Sequence, residues 1–127
     1  MTDAPLQAGD VVWVPFPFVE APRLRDRPAV VISVQQPAHG IQLLWVLMVT
    51  SAVNKGWQSD VSLESRHSEC GLNVPCVIRS AKIATIEAGK ANKAGRLPQD
   101  IFDEVRAAMA QHLGMDGFMA NTGEINR

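Results

Sequence analysis

The chain has 127 residues, 46% of them apolar and 20% charged, which suits a single globular domain and excludes a disordered chain. Its net charge of −1 argues against bulk attraction to nucleic acid and leaves only a local basic patch to do that work. No apolar run reaches the roughly 18 residues that cross a bilayer, and "MTDAPLQAGD" has neither the basic nor the apolar region of a signal peptide.

Cys70 and Cys76 lack zinc-ligand spacing and the density of a disulfide scaffold, so a cytoplasmic protein with reduced thiols and no membrane partner is expected. "DVVWVPFPF" sets Val12, Val14, Phe16 and Phe18 on one face and Val11 and Trp13 on the other. Pro15 and Pro17 then turn this first strand out into the loop "VEAPRLRDR". "PAVVISVQ" and "IQLLWVLMVTS" read as two strands joined at "QPAHG". Both are nearly continuously apolar, as in strands buried on both faces or closing a small barrel. Trp13 and Trp45, inside such runs, are expected in the core.

"SAVNKGW" is a second turn, "WQSDVSL" a short alternating strand and "ESRHSECGLN" a loop. "VPCVIRS" and "KIATIEA" are two more short strands, after which "GKANKAGRL" turns the chain. "PQDIFDEVRAAMAQHLG" is helical, with Pro98 at the first helical position, Asp100, Asp103 and Glu104 near the positive end of the dipole, and Gly114 as the stop. Ile101, Val105, Ala108 and Leu113 fall near one face, with Phe102 and Met109 beside it, so this helix packs on the sheet. One domain over residues 1–114 is expected, mainly β with a C-terminal helix, followed by an unstructured tail over 115–127.

Arg23, Arg25 and Arg27 stand at every second position just before Pro28 and an apolar strand. Three guanidinium groups exceed what a turn requires, and they suit an anion.

Taken in order, "GDVVWVPFPF", "RPAVVIS", "VTS", "GL" before "VIR", "KIATIE" and "GRLP" resemble the MazF/PemK family of toxins, from Gly9 to about Leu113. The resemblance implies an SH3-like β-barrel that dimerises. It also implies a metal-independent endoribonuclease of a type II toxin-antitoxin system, with no cofactor, acting on single-stranded RNA. A small cognate antitoxin would hold it in check. Carried over by residue, the critical arginine is Arg27, and Thr50 and Ser51 of "MVTS" share its site. Arg79 and Ser80 of "VIRS" add polar contacts. Cys76 stands where some members carry an acid.

The implied chemistry is attack of the RNA 2′-OH on the adjacent phosphorus. Arg27 suits stabilisation of the phosphoryl charge, because its fork binds phosphate in two places and stays charged. Thr50 or Ser51 can hydrogen-bond a phosphate oxygen or the 2′-OH. Neither is a base alone, so the proton acceptor stays open among His39, His67 and Asp26. Arg23 and Arg25 are candidate phosphate contacts, and Trp57, between Lys55 and Gln58 across a turn, is the candidate for base stacking. His112 reads as a surface residue of the helix.

Two other functions stay open: a gyrase poison of the CcdB type, and a catalytically weakened barrel that binds RNA or protein. The arginine cluster also predicts that the antitoxin covers Arg27 and Thr50 with a disordered acidic and apolar tail.

Overall fold

The computed structural model describes residues 5–15 and 26–115, and within them the apolar runs form six antiparallel strands and one α-helix. The strands are β1 (Asp10–Pro15), β2 (Asp26–Ala38), β3 (Ile41–Ser51), β4 (Asp60–Ser62), β5 (Cys76–Glu87) and β6 (Asn92–Arg96), and the helix is α1 (Gln99–His112). Across the sheet they run β4-β5-β3-β2-β1-β6. Arg23, Arg25, Phe16, Phe18 and the tail beyond Met115 lie outside the described residues.

Alternation along the strands gives the sheet two buried faces. Val11, Val30, Leu47, Val49 and Ile78 point to the face that α1 covers with Ile101, Val105 and Ala108. Val12, Val14, Ala29, Val31, Leu44 and Val46 point to the other, where the curled sheet packs on itself with Ala84 and Ile86. This two-sided burial explains why β2 and β3 read as continuous apolar runs.

Hydrogen bonding does not close the sheet among the described residues, since β4 and β6 are both edges. The two edges are bridged differently. The chain leaving β4 makes a 3₁₀ turn at His67–Cys70 and comes round to touch β6. There Gly71, at φ +85°, and Gly95 meet so closely that no side chain fits between their backbones.

Several expectations need correction. "VPCVIRS" and "KIATIEA" form one strand, β5, with a bulge: Met48 pairs with Arg79 while Leu47 pairs with Ile83, leaving residues 80–82 as the excess. "GKANKAGRL" is not only a turn, because it contains β6. Its polar residues have little strand preference, and it is held by pairing to β1 and by Asp10. That fully buried carboxylate accepts from Arg96 at 2.9 Å and faces Lys93 Nζ at 3.4 Å. The loop "ESRHSECGLN" holds the 3₁₀ turn, and β4 is only three residues of the strand expected over "WQSDVSL".

Trp13 and Trp45 are 36% and 41% exposed and are not core. Both share the face of Val11 and Leu47 by alternation, but Trp45 borders an open groove beside α1, together with Ile83 and Phe102. On the helix, Pro98 is the N-cap and not the first helical residue, and Ala110 takes the buried place expected of Leu113, which is exposed.

Candidate functional site

The register puts the candidate polar residues on one strip. Val14 pairs with Arg27, Ala29 with Met48, and Met48 with Arg79. Carried two residues on, the β2–β3 register brings Arg27 toward Thr50, which pairs with Val77. Arg27, Thr50 and Arg79 therefore share the face opposite α1, at the end of the sheet beyond the aliphatic cluster. Ser51 alternates to the other face and caps the short 3₁₀ turn Ala52–Asn54, accepting from the Val53 amide at 3.3 Å.

Arg27 Nε is buried and has no hydrogen-bond partner among the described residues. A guanidinium nitrogen withdrawn from water without a partner is costly, which marks this end of β2 as a candidate site for an incoming acceptor. Pro28 follows directly and fixes the backbone there. Thr50 Oγ1 accepts from Asn54 Nδ2 at 3.0 Å, which leaves its hydroxyl proton free to donate.

Arg79 is held on every side. Its Nε and Nη2 reach the Asp60 carboxylate at 3.3 and 2.9 Å, and Nη2 also donates to the Asn54 carbonyl at 2.6 Å. Both side chains of this ion pair are more than nine-tenths buried. The guanidinium carbon lies 4.1 Å from the centroid of the Trp57 ring, and Lys82 Nζ lies 5.4 Å from it. Asp60 also accepts from the Trp57 amide at 3.2 Å, so one carboxylate fixes both the turn that presents Trp57 and the cation beneath its ring. The indole itself is 48% exposed.

Ser80 is buried in a second network. Its hydroxyl donates to the Ser59 carbonyl at 2.7 Å and meets His112 Nε2 at 2.9 Å. Sequence reasoning passed over Asp60, Asn54 and His112 as partners. They lie 19, 25 and 32 residues from the side chains they hold, and no local pattern marks such pairings.

The open candidates for a base separate clearly. His39 sits in the turn after β2, at the far end of a 13-residue strand from Arg27. His67 lies in the 3₁₀ turn near β6, with Nδ1 3.3 Å from the Glu64 carbonyl. Asp26 is next to Arg27, but alternation turns it to the opposite face. Cys76 belongs to the helix-side core, donates to the Val74 carbonyl at 3.1 Å, and has its thiol pKa pushed up by burial. It is not part of the Arg27–Thr50 strip. Among the described residues no cluster of His, Cys, Asp or Glu could hold a metal ion, and no helix is long and apolar enough to cross a membrane.

Comparison with known proteins agrees with this architecture. The family model for PemK-like, MazF-like toxins of type II toxin-antitoxin systems matches residues 7–113. No curated protein matches the chain. Among solved structures, MazF from Deinococcus radiodurans is 27% identical with a TM-score of 0.65, over 89% of this chain and all of that one. A MazE–MazF complex from the same organism is 28% identical with a TM-score of 0.64, over 89% and 99%. An endoribonuclease bound to its cognate antitoxin from a mycobacterial species shares the fold at 14% identity, with a TM-score of 0.64 over 88% and 97%. The open antiparallel sheet with one C-terminal helix is thus a MazF-like fold, and the chain belongs to the PemK-like, MazF-like toxins of type II toxin-antitoxin systems.

Proposed function

We propose that this toxin is a metal-independent endoribonuclease that cuts single-stranded RNA. The observation that carries the reading is the buried Nε of Arg27, without a partner among the described residues and on the same sheet face as the Thr50 hydroxyl. In the reaction the RNA 2′-oxygen bonds to phosphorus and the 5′-oxygen leaves, giving a 2′,3′-cyclic phosphate and a 5′-hydroxyl. Arg27 offsets the charge that gathers on the phosphoryl oxygens, and Thr50 donates to one of them. Ser51 acts by capping the turn that carries Asn54, which in turn holds Thr50. Arg79 and Ser80, both buried, serve RNA by holding Trp57 and the neighbouring loop. Arg23 and Arg25 supply phosphate contacts upstream of Arg27.

The toxin works as a homodimer in the cytoplasm. An apolar groove of about 550 Å³ runs between α1 and the sheet, lined by Ile32, Trp45, Ile83, Phe102 and Met109 among others, and a second subunit would cover it. Its antitoxin lays an acidic and apolar tail across Arg27 and Thr50, in competition with RNA. Incubating the protein with a long single-stranded RNA in EDTA tests the activity. Discrete fragments ending in cyclic phosphate are expected, and intact RNA would refute the nuclease reading.

A further inference from the structure

Beyond the Arg27–Thr50 strip lies a cleft of about 650 Å³ lined by Trp57, Gln58, Ser59, Ala81, Gln111 and His112. It joins the strip through a run of contacts, from the Thr50 hydroxyl to the Asn54 side chain, from the Asn54 carbonyl to Arg79, and from Arg79 to the Trp57 ring. We infer that this cleft takes one nucleobase of the bound RNA strand and sets which base is accepted there. The inference rests on the RNA reading above.

Four observations favour a base. The cleft is large enough for a planar heterocycle, and its wall is an indole about half exposed. Stacking on such a ring accepts any base. Arg79 and Lys82 both lie over the indole, at 4.1 and 5.4 Å from its centroid, so cations already stand against this ring and a neutral aromatic ligand adds no further like charge.

The second observation is the hydrogen-bonding pattern at the end of α1. The Ser80 hydroxyl has one proton, and the Ser59 carbonyl can only accept it. Ser80 must then accept from His112 Nε2, which puts the proton of neutral His112 on Nε2 and leaves Nδ1 an acceptor. Similarly, Gln111 Oε1 accepts from the Ser59 hydroxyl at 3.1 Å, leaving the Gln111 amide nitrogen with its protons to donate. A donor and an acceptor on adjacent residues match the edge of a base, and each base orders its own donors and acceptors differently.

Third, Ser59 is the one non-glycine with positive φ among the described residues, at 68°. That conformation costs roughly 1–2 kcal/mol, and Ser59 is held in it by the bonds to Ser80 and Gln111. The loop is thus fastened in an unfavourable shape at the floor of the cleft. Fourth, Ser59 and Trp57 lie on a turn clamped by Asp60, so the stacking wall and the polar edge form one rigid unit.

The test uses four single-stranded deoxynucleotide pentamers of one base each, which lack the 2′-OH and cannot be cut. Each is titrated against the full chain, with tryptophan emission and anisotropy as readouts. One base should bind at least about tenfold tighter than the weakest, the discrimination that base-edge hydrogen bonds give. The emission change should vanish in Trp57→Phe. Gln111→Ala and, separately, His112→Asn should bring the four affinities together and redistribute the cut positions on long RNA. Equal affinity of the four pentamers for the unaltered chain would overturn the inference, as would preference unchanged in both variants. Base-selective binding by a chain that leaves RNA intact in EDTA would uphold the cleft and refute the nuclease reading alone.

Discussion

Gly71 and Gly95 are pressed together where the two edges of the sheet meet: a Cβ on Gly71 would lie 2.2 Å from the Ala94 carbonyl oxygen, and one on Gly95 would lie 2.2 Å from that of Cys70. Neither obstacle is a flexible side chain, so backbone must move to admit a methyl group. Gly71→Ala and Gly95→Ala should each cost about 1–3 kcal/mol from overpacking, and Gly71→Ala more, because its positive φ adds strain. Gly89→Ala, with nothing within 4 Å, is the control and should change stability by less than about 0.5 kcal/mol. Urea unfolding of the three variants checks this, and equal midpoints would mean that the seam yields freely.

Arg27→Ala should lower the rate of RNA cleavage by about 100- to 1,000-fold while the chain keeps its fold, since the lost group acts on charge in the transition state. Arg27→Lys should recover little, because a point charge cannot replace the fork. Single-turnover cleavage with circular dichroism separates the outcomes. An unaltered rate removes Arg27 from the site, and a lost fold gives it a structural role.

Asp60→Ala strips the buried Arg79 of its counter-charge and should destabilise by about 3–5 kcal/mol. Trp57 emission should shift with it, since the same carboxylate holds the Trp57 turn. Adding Arg79→Met should restore most of the stability, because an apolar pair of similar volume leaves no charge unpaired. A double variant no more stable than Asp60→Ala would contradict that account.

Trp45→Glu places a charge in the groove beside α1, and if the proposed dimer uses that groove the variant should be a monomer. Light scattering at micromolar concentration is the measurement. A native chain that is already monomeric and fully active would remove the groove from the assembly.

Burial raises the thiol pKa of both Cys70 and Cys76. The unfolded chain then loses these protons at lower pH than the folded one, so above the ordinary thiol value of about 8.5 the folded state binds more protons and stability falls as pH rises. Melting temperature should drop between neutral pH and pH of about 9.5, and less so in the Cys70→Ala/Cys76→Ala variant. An identical slope in both proteins would assign the loss to other groups.

Much of the fold was legible because its signals are local. The alternation in β1, the apolar runs of β2 and β3, and the bounded period of α1 all lie within single stretches of chain. β6 was not legible, because its polar residues become a strand only through β1 and the buried Asp10. Nor was the exposure of Trp13 and Trp45, since nothing local marks the open groove that Trp45 lines with residues of a distant helix. For the candidate site, the family pattern supplied Arg27, Thr50 and Ser80. The roles of Asp60 and His112 arise from contacts between distant segments. The "GD", "GL" and "GR" pieces of that pattern prove to be architectural: Gly71 and Gly95 form the seam, while Asp10 and Arg96 pair beside it.

The bond between Asp10 and Arg96 spans 86 residues, and it sets an order on biosynthesis. The strands that carry Arg27, Thr50 and Arg79 leave the ribosome before β6 and α1 do. Until those last elements emerge, β1 lacks its outer partner, the helix-side face is uncovered, and the cleft beside Trp57 lacks the wall formed by Gln111 and His112. Because a domain folds as a unit, an interrupted chain would carry Arg27 without the scaffold that positions it. The fold that aligns Arg27, Thr50 and Arg79 is therefore completed last, once the chain through α1 has been made.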